Sequence, residues 1–145
     1  FCFDHLKQEA IRLIDIASLP LECKPPVIRI IAMIENNSFG SIQIDGKTYR
    51  TDIIIFPDGR VADNWWRRHG HQLMFEDIEA LLAAEPDTIV IGTGIYGRML
   101  PAPGLEEALS KKGIELIMMP TGEAIACFNK QQASHRTAAG FHLTC

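Results

Sequence analysis

Apolar residues in the middle of the chain follow the patterns expected of strands. Isoleucine alternates with polar residues in 39–44, and Asp45-Gly46 suits a tight turn whose central residues need positive φ. The return strand is predicted to run through residues 49–56, where a continuous apolar stretch is typical of a strand buried on both faces. A third strand is predicted from about residue 60 to 66. Because the connections are short, the three strands should form an antiparallel meander.

Further along the chain the apolar spacing changes from two to three or four residues, which indicates helices. Three such segments alternate with three apolar strands. The predicted order is helix 75–82, strand 88–91, helix 105–112, strand 114–119, a helix with Thr121 as N-cap, and strand 137–143. Such alternation implies parallel strands with helical cover. The predicted fold class is therefore α/β: one compact domain whose mixed sheet has an N-terminal antiparallel meander followed by β-α-β-α-β.

Residues 1–32 lack this regularity. Apolar positions there suggest a short helix, but Pro20, Pro25 and Pro26 break the pattern. We interpret residues 1–32 as an N-terminal extension and residues 33–145 as the domain. Met33 raises the hypothesis that the functional domain, or the natural start, lies at this point.

Composition narrows the classes of function. Of 145 residues, 47% are hydrophobic and 22% are charged, as in an ordinary globular domain. The net charge of -4 disfavours a nucleic-acid partner, which would need many phosphates to be neutralised. The longest apolar run, residues 27–34, contains Arg29 and is far shorter than the roughly 20 residues of a membrane span.

The cysteines and the N-terminus bear on the cellular compartment. Cys2, Cys23, Cys127 and Cys145 show no CxxC spacing and no secretory leader precedes them, so they are expected to be reduced thiols. These features predict a cytoplasmic protein that has no membrane partner.

A glycine-rich segment follows the strand predicted at 88–91. Its residues, Gly92-Thr93-Gly94-Ile95-Tyr96-Gly97, match the dinucleotide pattern GxGxxG. That chemistry needs a helix to open at the loop, whereas Pro101 and Pro103 follow almost at once. We predict a strand-exit loop and no cofactor. The candidate ligand or anion loop consists of Gly92, Thr93, Gly94, Tyr96 and Gly97.

Residues 65–71, Trp-Trp-Arg-Arg-His-Gly-His, combine aromatic and basic side chains. They are able to stack on a nucleotide or pair with carboxylates of a partner. In the simpler interpretation, one tryptophan packs in the core while the arginines and His69 lie in a solvated loop. Both interpretations remain open from the sequence.

Histidine and cysteine also occur as two spaced pairs. His69 with His71, and His142 with Cys145, are zinc-ligand types. Their spacing matches no known finger and the pairs are far apart in sequence, so we expect two unrelated pairs and no metal site. Cys145 assisted by His142 or His71 is chemically competent as a nucleophile, but an inert thiol is favoured at the last residue of the sequence.

No catalytic residue is predicted. The acid in Thr121-Gly122-Glu123 is already explained by its favourable place in the first turn of a helix.

Several short motifs occur in order over about residues 38–145. They are residues 39–42, 45–49, 52–59, 66–68 with 70–71, 92–94, 121–124 and 142–145. Together they resemble the Mth-type domain family, whose members include the adipogenesis-associated Mth domain protein and the mitochondrial NADH dehydrogenase alpha-subcomplex assembly factor three. The resemblance implies a layered fold of β and β/α parts, and it supplies no catalytic residues.

Two hypotheses about function follow. The first is a non-enzymatic protein-interaction or assembly module, in which at least two of Trp65, Trp66, Arg67 and Tyr96 are exposed in one patch. Its partner would be a protein, and a homodimer is compatible with it. The second is a small-molecule or anion site, potentially enzymatic, at the loop 92–97. There, side chains from the set His71, Thr121, His142 and Cys145 should converge.

Overall fold

The computed structural model describes residues 32–145. Residues 1–31, which make up nearly all of the interpreted extension, lie outside the described residues. The strands are β1 Ile34–Ser38, β2 Ser41–Ile44, β3 Lys47–Tyr49, β4 Ile53–Ile55, β5 Val61–Ala62, β6 Gln72–Leu73, β7 Thr88–Thr93, β8 Leu100–Pro101, β9 Glu115–Met119 and β10 Thr137–His142. The helices are a 3-10 turn, Phe75–Ile78, then α1 Glu79–Leu82, α2 Leu105–Lys111 and α3 Thr121–Gln131.

The first three strands form a separate antiparallel sheet in the order β1-β2-β3. At the turn between β2 and β3, Asp45 has φ 49° and Gly46 has φ 83°, as the sequence predicts for two residues of positive φ. The predicted continuous return strand through 49–56 is wrong, because the chain leaves this sheet after Tyr49 and enters another at Ile53. Strand β1 had not been predicted.

Five strands build the central sheet in the order β5-β4-β10-β7-β9. Strand β10 is parallel to β7 and β7 is parallel to β9, whereas β4 is antiparallel to both β10 and β5. This confirms the predicted α/β fold with a mixed sheet and a β-α-β-α-β half.

Both faces of the central sheet are covered, so its strands are apolar on both sides. Ile53 and Ile55 of β4 pack in a core with the three-stranded sheet and α3. Ile54, between them, belongs to the opposite core, which includes Leu81 of α1 and Leu109 of α2. The alternation follows from the twofold period of a strand.

The connections differ in detail from the prediction. The third strand, expected over 60–66, is only two residues long, and Trp65 instead packs in the core. Strands β6 and β8 were missed because two residues show no periodicity. Thr121 is the first residue of α3 rather than its cap, and Pro120 precedes it in a non-helical conformation.

Ala32, at the start of the described part, is part of the packed structure. It is fully buried, and the Gln132 side chain donates to its carbonyl at 2.6 Å and accepts from its amide at 3.2 Å. Of the helices formed by residues 32–145, none is long and apolar enough to cross a bilayer.

Candidate functional site

One edge of the central sheet brings together most of the residues that the sequence identifies as candidates. The parallel strands β7 and β10 end side by side, with Thr93 opposite His142. Strand β4 runs the other way and begins at the same edge, where Ile53 lies opposite Phe141. Residues 92–97, the first turn of α3 and the segment 142–145 therefore meet where open α/β sheets commonly place ligand sites.

Asp52, immediately before β4, organises this edge. Its Oδ2 lies 2.7 Å from His142 Nδ1 and 2.8 Å from an Arg67 terminal nitrogen, and its Oδ1 accepts from the Leu143 amide at 2.9 Å. Burial acts to raise the pKa of Asp52, but the hydrogen bonds from His142, the Leu143 amide and Arg67 outweigh it and hold the pKa below its ordinary value. The carboxylate is therefore ionised at neutral pH.

The ionised carboxylate determines which atom of His142 is free. An acceptor at 2.7 Å requires the proton on Nδ1, so neutral His142 presents a lone pair on Nε2. Arg67 also approaches Nδ1 at 3.0 Å, but two donors cannot bond each other, so its bond is the one to Asp52. His142 is 7% exposed, and its Nε2 has no hydrogen-bond partner among the described residues.

Arg67 is held between Asp52 and an aromatic ring. Its side chain is 5% exposed, and its guanidinium carbon lies 4.6 Å from the centre of the Trp65 ring. The expectation that the arginines lie in a solvated loop is thus wrong for Arg67, whereas Arg68 and His69 are exposed. Trp65 is buried and donates through Nε1 to the Asp77 carbonyl at 2.9 Å.

His71, His142 and Cys145 form a thiol–imidazole cluster. One ligand-type atom from each lies within 4.8 Å of the other two, and Cys145 Sγ is 3.5 Å from His71 Nε2. The His71 and His142 rings meet edge to face, with centres 6.3 Å apart. Sequence spacing indicated unrelated pairs, but the fold brings three of the four residues together, and His69 is not one of them.

Gly94 allows the segment 142–145 to pack closely against the loop 92–97. It has φ +103°, and a Cβ on it would lie 2.5 Å from the carbonyl carbon of Cys145 and 2.9 Å from His142 Cδ2. The Ile95 amide also donates to the Thr144 carbonyl at 2.6 Å. The Cδ2 edge of the imidazole, which adjoins Nε2, therefore lies beside Gly94.

Thr121 connects the same loop to β10. Its buried hydroxyl donates to the His142 carbonyl at 2.6 Å and accepts from the Gly94 amide at 3.0 Å. The Gly97 amide donates to the Gly94 carbonyl. Three amides of the loop, those of residues 94, 95 and 97, are thus engaged within the protein, which counts against an anion cradle.

No helix opens at this loop either. The chain continues through Met99, whose amide donates to the Thr93 carbonyl, into β8, and α2 begins only at Leu105. The arrangement agrees with the prediction of a strand-exit loop and lacks the helix N-terminus that a dinucleotide pyrophosphate needs.

Replacing Thr121 by valine keeps the side-chain shape but removes the hydroxyl. The His142 carbonyl and the Gly94 amide then lose a partner in a buried place, and we expect the free energy of unfolding to fall by about 1–3 kcal/mol. Urea unfolding measures this loss. Thr48→Val, at an exposed strand position, is the control and should change stability little; equal losses in both variants would contradict the assigned role.

Sequence reasoning missed Asp52, although it noted the stretch that contains it. A carboxylate directly before a strand buried on both faces is a signal, since burying a charge is unfavourable unless it is paired. Glu123, by contrast, is exposed in the first turn of α3, as expected of an acid at that position.

The fold and the site define a small α/β domain with a mixed sheet and a polar, thiol-bearing edge. Residues 34–142 match the family described as protein of unknown function (DUF498/DUF598), and the chain belongs to that family. Neighbours named for Mth938 confirm the resemblance to Mth-type domains.

Three solved structures illustrate the likeness. A conserved hypothetical protein from Pyrococcus horikoshii is 33% identical, with a TM-score of 0.66 and coverage of 77% of this chain and 98% of its own. The protein MT938 is 31% identical, with a TM-score of 0.65 over 79% of this chain and 99% of its own. A Mth938-like domain from Bordetella pertussis shares the fold at 20% identity, with a TM-score of 0.57 over 78% and 86% of the two chains.

Proposed function

We propose that the protein is a protein-interaction module of the assembly type, and that it binds its partner at the sheet edge described above. The observation that carries the proposal is the placement of exposed apolar side chains. Five large hydrophobic residues are exposed among residues 32–145, and four of them lie at or beside this edge, three on loops and Leu100 in the short strand β8. We call these four the apolar face: Phe39, Trp66, Tyr96 and Leu100.

Hydrogen bonds attach the backbone segments that carry these residues to the site. The Gly40 amide, next to Phe39, donates to the Leu143 carbonyl at 2.8 Å, and Leu100 donates its own amide to the His71 carbonyl at 3.0 Å. Trp66 precedes the buried Arg67, and Tyr96 follows Ile95, which is bonded to Thr144. Such anchoring holds the backbone that carries these side chains in place before binding, which lowers the entropy lost on association.

Exposed aromatic residues are enriched at the centres of interfaces, where they contribute most of the binding energy. Trp66 is 76% exposed and Tyr96 is 68% exposed, so two of the four residues considered from sequence meet the exposure condition, while Trp65 and Arg67 do not. Leu100 and Phe39 complete the apolar face, whose exposure to water is unfavourable.

Charge narrows the kind of partner. Arg68 and Arg98 are exposed and follow Trp66 and Tyr96, respectively, by two positions. This basic character is local, because the whole chain carries a net charge of -4. The proposed partner is therefore a protein segment that presents apolar and acidic side chains together. Cys127 and Cys145 are free thiols, which fits the proposed cytoplasmic setting.

A photo-crosslinking amino acid placed at Trp66 or Tyr96 identifies the partner in the protein's own cells. We expect both positions to capture the same protein. Met33, exposed near the opposite end of β1, is the matched control and should not capture it. A second copy of this chain as the captured species would replace the proposed partner by a homodimer.

Purified components then test the energetics. Trp66→Ala is expected to weaken the complex by at least about tenfold, as removal of an aromatic hot spot does, and Met33→Ala should leave the dissociation constant unchanged. Isothermal titration calorimetry measures both. Unchanged affinity in Trp66→Ala, Tyr96→Ala and their double variant would remove the apolar face as the binding surface.

A further inference from the structure

We infer that His71, His142 and Cys145 form a binding site for a borderline-soft transition-metal cation, with Zn²⁺ as the best-fitting ion. Imidazole nitrogen and thiolate sulfur are the donor types that zinc takes in proteins, and three protein ligands leave one tetrahedral position open. This inference stands on the side-chain geometry of the thiol–imidazole cluster and does not depend on the proposed partner.

The distances suit a single ion. Zinc bonds of about 2.0 Å to nitrogen and about 2.3 Å to sulfur place tetrahedral nitrogen and sulfur ligands about 3.5 Å apart. Cys145 Sγ and His71 Nε2 are already 3.5 Å apart, and all three donor atoms fall within 4.8 Å of one another. Separations of up to 4.8 Å must shorten for one ion to reach all three donors, and His71, which is exposed, is the side chain with room to move.

His142 is prepared for this role in an independent way. Its Nδ1 is bonded to Asp52 Oδ2 at 2.7 Å, and its buried Nε2 has no hydrogen-bond partner among the described residues. A carboxylate that holds one ring nitrogen while the other binds metal is a common outer-shell arrangement, because it fixes the tautomer and raises the basicity of the ligand. Burial of an unpaired nitrogen is unfavourable unless a partner binds there.

The local charges are compatible with a cation. The positively charged Arg67 lies 3.0 Å from His142 Nδ1, and its pairing with Asp52 at 2.8 Å offsets its charge. A Cys145 thiolate adds negative charge at the site itself. His71 is exposed and Cys145 is half-buried, so an ion has a path from solvent.

The chain has matched controls within it. Cys127 is the other free cysteine of the described part, and His69 lies two residues before His71 but outside the cluster. Burial raises the pKa of the Cys127 thiol, with the neighbouring Glu115 adding to the shift. Cys127→Ser and His69→Ala should therefore leave metal binding unchanged.

The test uses the untagged chain, stripped with a chelator and titrated with ZnCl₂ by calorimetry. We expect one Zn²⁺ per chain, and at least about tenfold weaker binding in Cys145→Ser and in His71→Ala. Circular dichroism verifies that each variant is folded. Absence of saturable uptake by the folded chain, or equal weakening in the two control variants, overturns the inference.

Co²⁺ provides a second, spectroscopic readout. Thiolate ligation gives Co²⁺ an intense sulfur-to-metal charge-transfer absorption. We expect that band when the native chain is loaded with Co²⁺ and expect its loss in Cys145→Ser. A Co²⁺ complex of the native chain without the band would show that Cys145 is not a ligand.

Discussion

Replacement of Asp52 by alanine is expected to lower the free energy of unfolding by about 3–5 kcal/mol, the range found when one partner of a buried ion pair is removed. The variant leaves the Arg67 guanidinium, 5% exposed, without its carboxylate. It also removes the acceptors of His142 Nδ1 and of the Leu143 amide. Urea unfolding at neutral pH measures the change.

Asp58 provides the control. It also pairs with an arginine, Arg60, at 2.8 Å, but both side chains are more than half exposed. Exposed ion pairs contribute little to stability, so Asp58→Ala should unfold close to the native chain. Equal, small losses in the two variants would mean that the Asp52 network is not a structural centre.

Acid is expected to destabilise the fold by protonating the Asp52 carboxylate. Because the folded-state pKa of Asp52 is lowered below its ordinary value of 3.8, its stabilising effect is present above that pH and is lost as the pH falls through the folded-state pKa. Asp52→Asn keeps the shape and removes the titration. The native chain should lose more stability than this variant when unfolding is compared at neutral pH and below pH 3.8; parallel losses would contradict the assignment.

Gly94→Ala is expected to destabilise the protein by about 2–4 kcal/mol, since it combines backbone strain with overpacking. The residue has φ +103°, and the new Cβ would meet the Cys145 carbonyl carbon at 2.5 Å and its oxygen at 2.6 Å. These are backbone atoms, so a rotamer change cannot relieve the contact. The segment 142–145 must move away from the loop.

Gly113→Ala separates the two contributions. Gly113 has φ +76°, but a Cβ there meets nothing within 4 Å, so this variant reports backbone strain alone, about 1–2 kcal/mol. The excess loss in Gly94→Ala measures the contact with Cys145. Gly94→Ala should also weaken Zn²⁺ binding, whereas Gly113→Ala should not. Identical stability losses and Zn²⁺ affinities in the two variants would contradict the close packing of Gly94 against Cys145.

Local chemistry explains why much of the fold was predictable. Asp45-Gly46 specifies a two-residue hairpin turn because both positions need positive φ. The strands that are buried on both faces are recognisable in the sequence as continuous runs of apolar residues. The passage from β3 to β4 was not predictable in this way. Residues 50–52, Arg-Thr-Asp, contain no glycine or proline to mark a break, and only tertiary packing places the two strands in different sheets.

The site was predictable as parts but not as an arrangement. His71, His142, Cys145, Thr121 and Gly94 were each identified by residue type or motif. Their convergence depends on β10 inserting between β4 and β7, which is a property of strand order and not of spacing along the chain. Asp52 was missed because its role appears only when Arg67 and His142 come beside it.

The apolar face is proposed to be the partner-binding surface. Hydrogen–deuterium exchange of the free chain and of the reconstituted complex tests it most directly. We expect binding to slow amide exchange in residues 66–71 and 94–100, and to leave the Asp45-Gly46 turn at the far end of the small sheet unchanged. Protection confined to that turn, or to the exposed side of α2, with residues 66–71 and 94–100 unaffected, would contradict it.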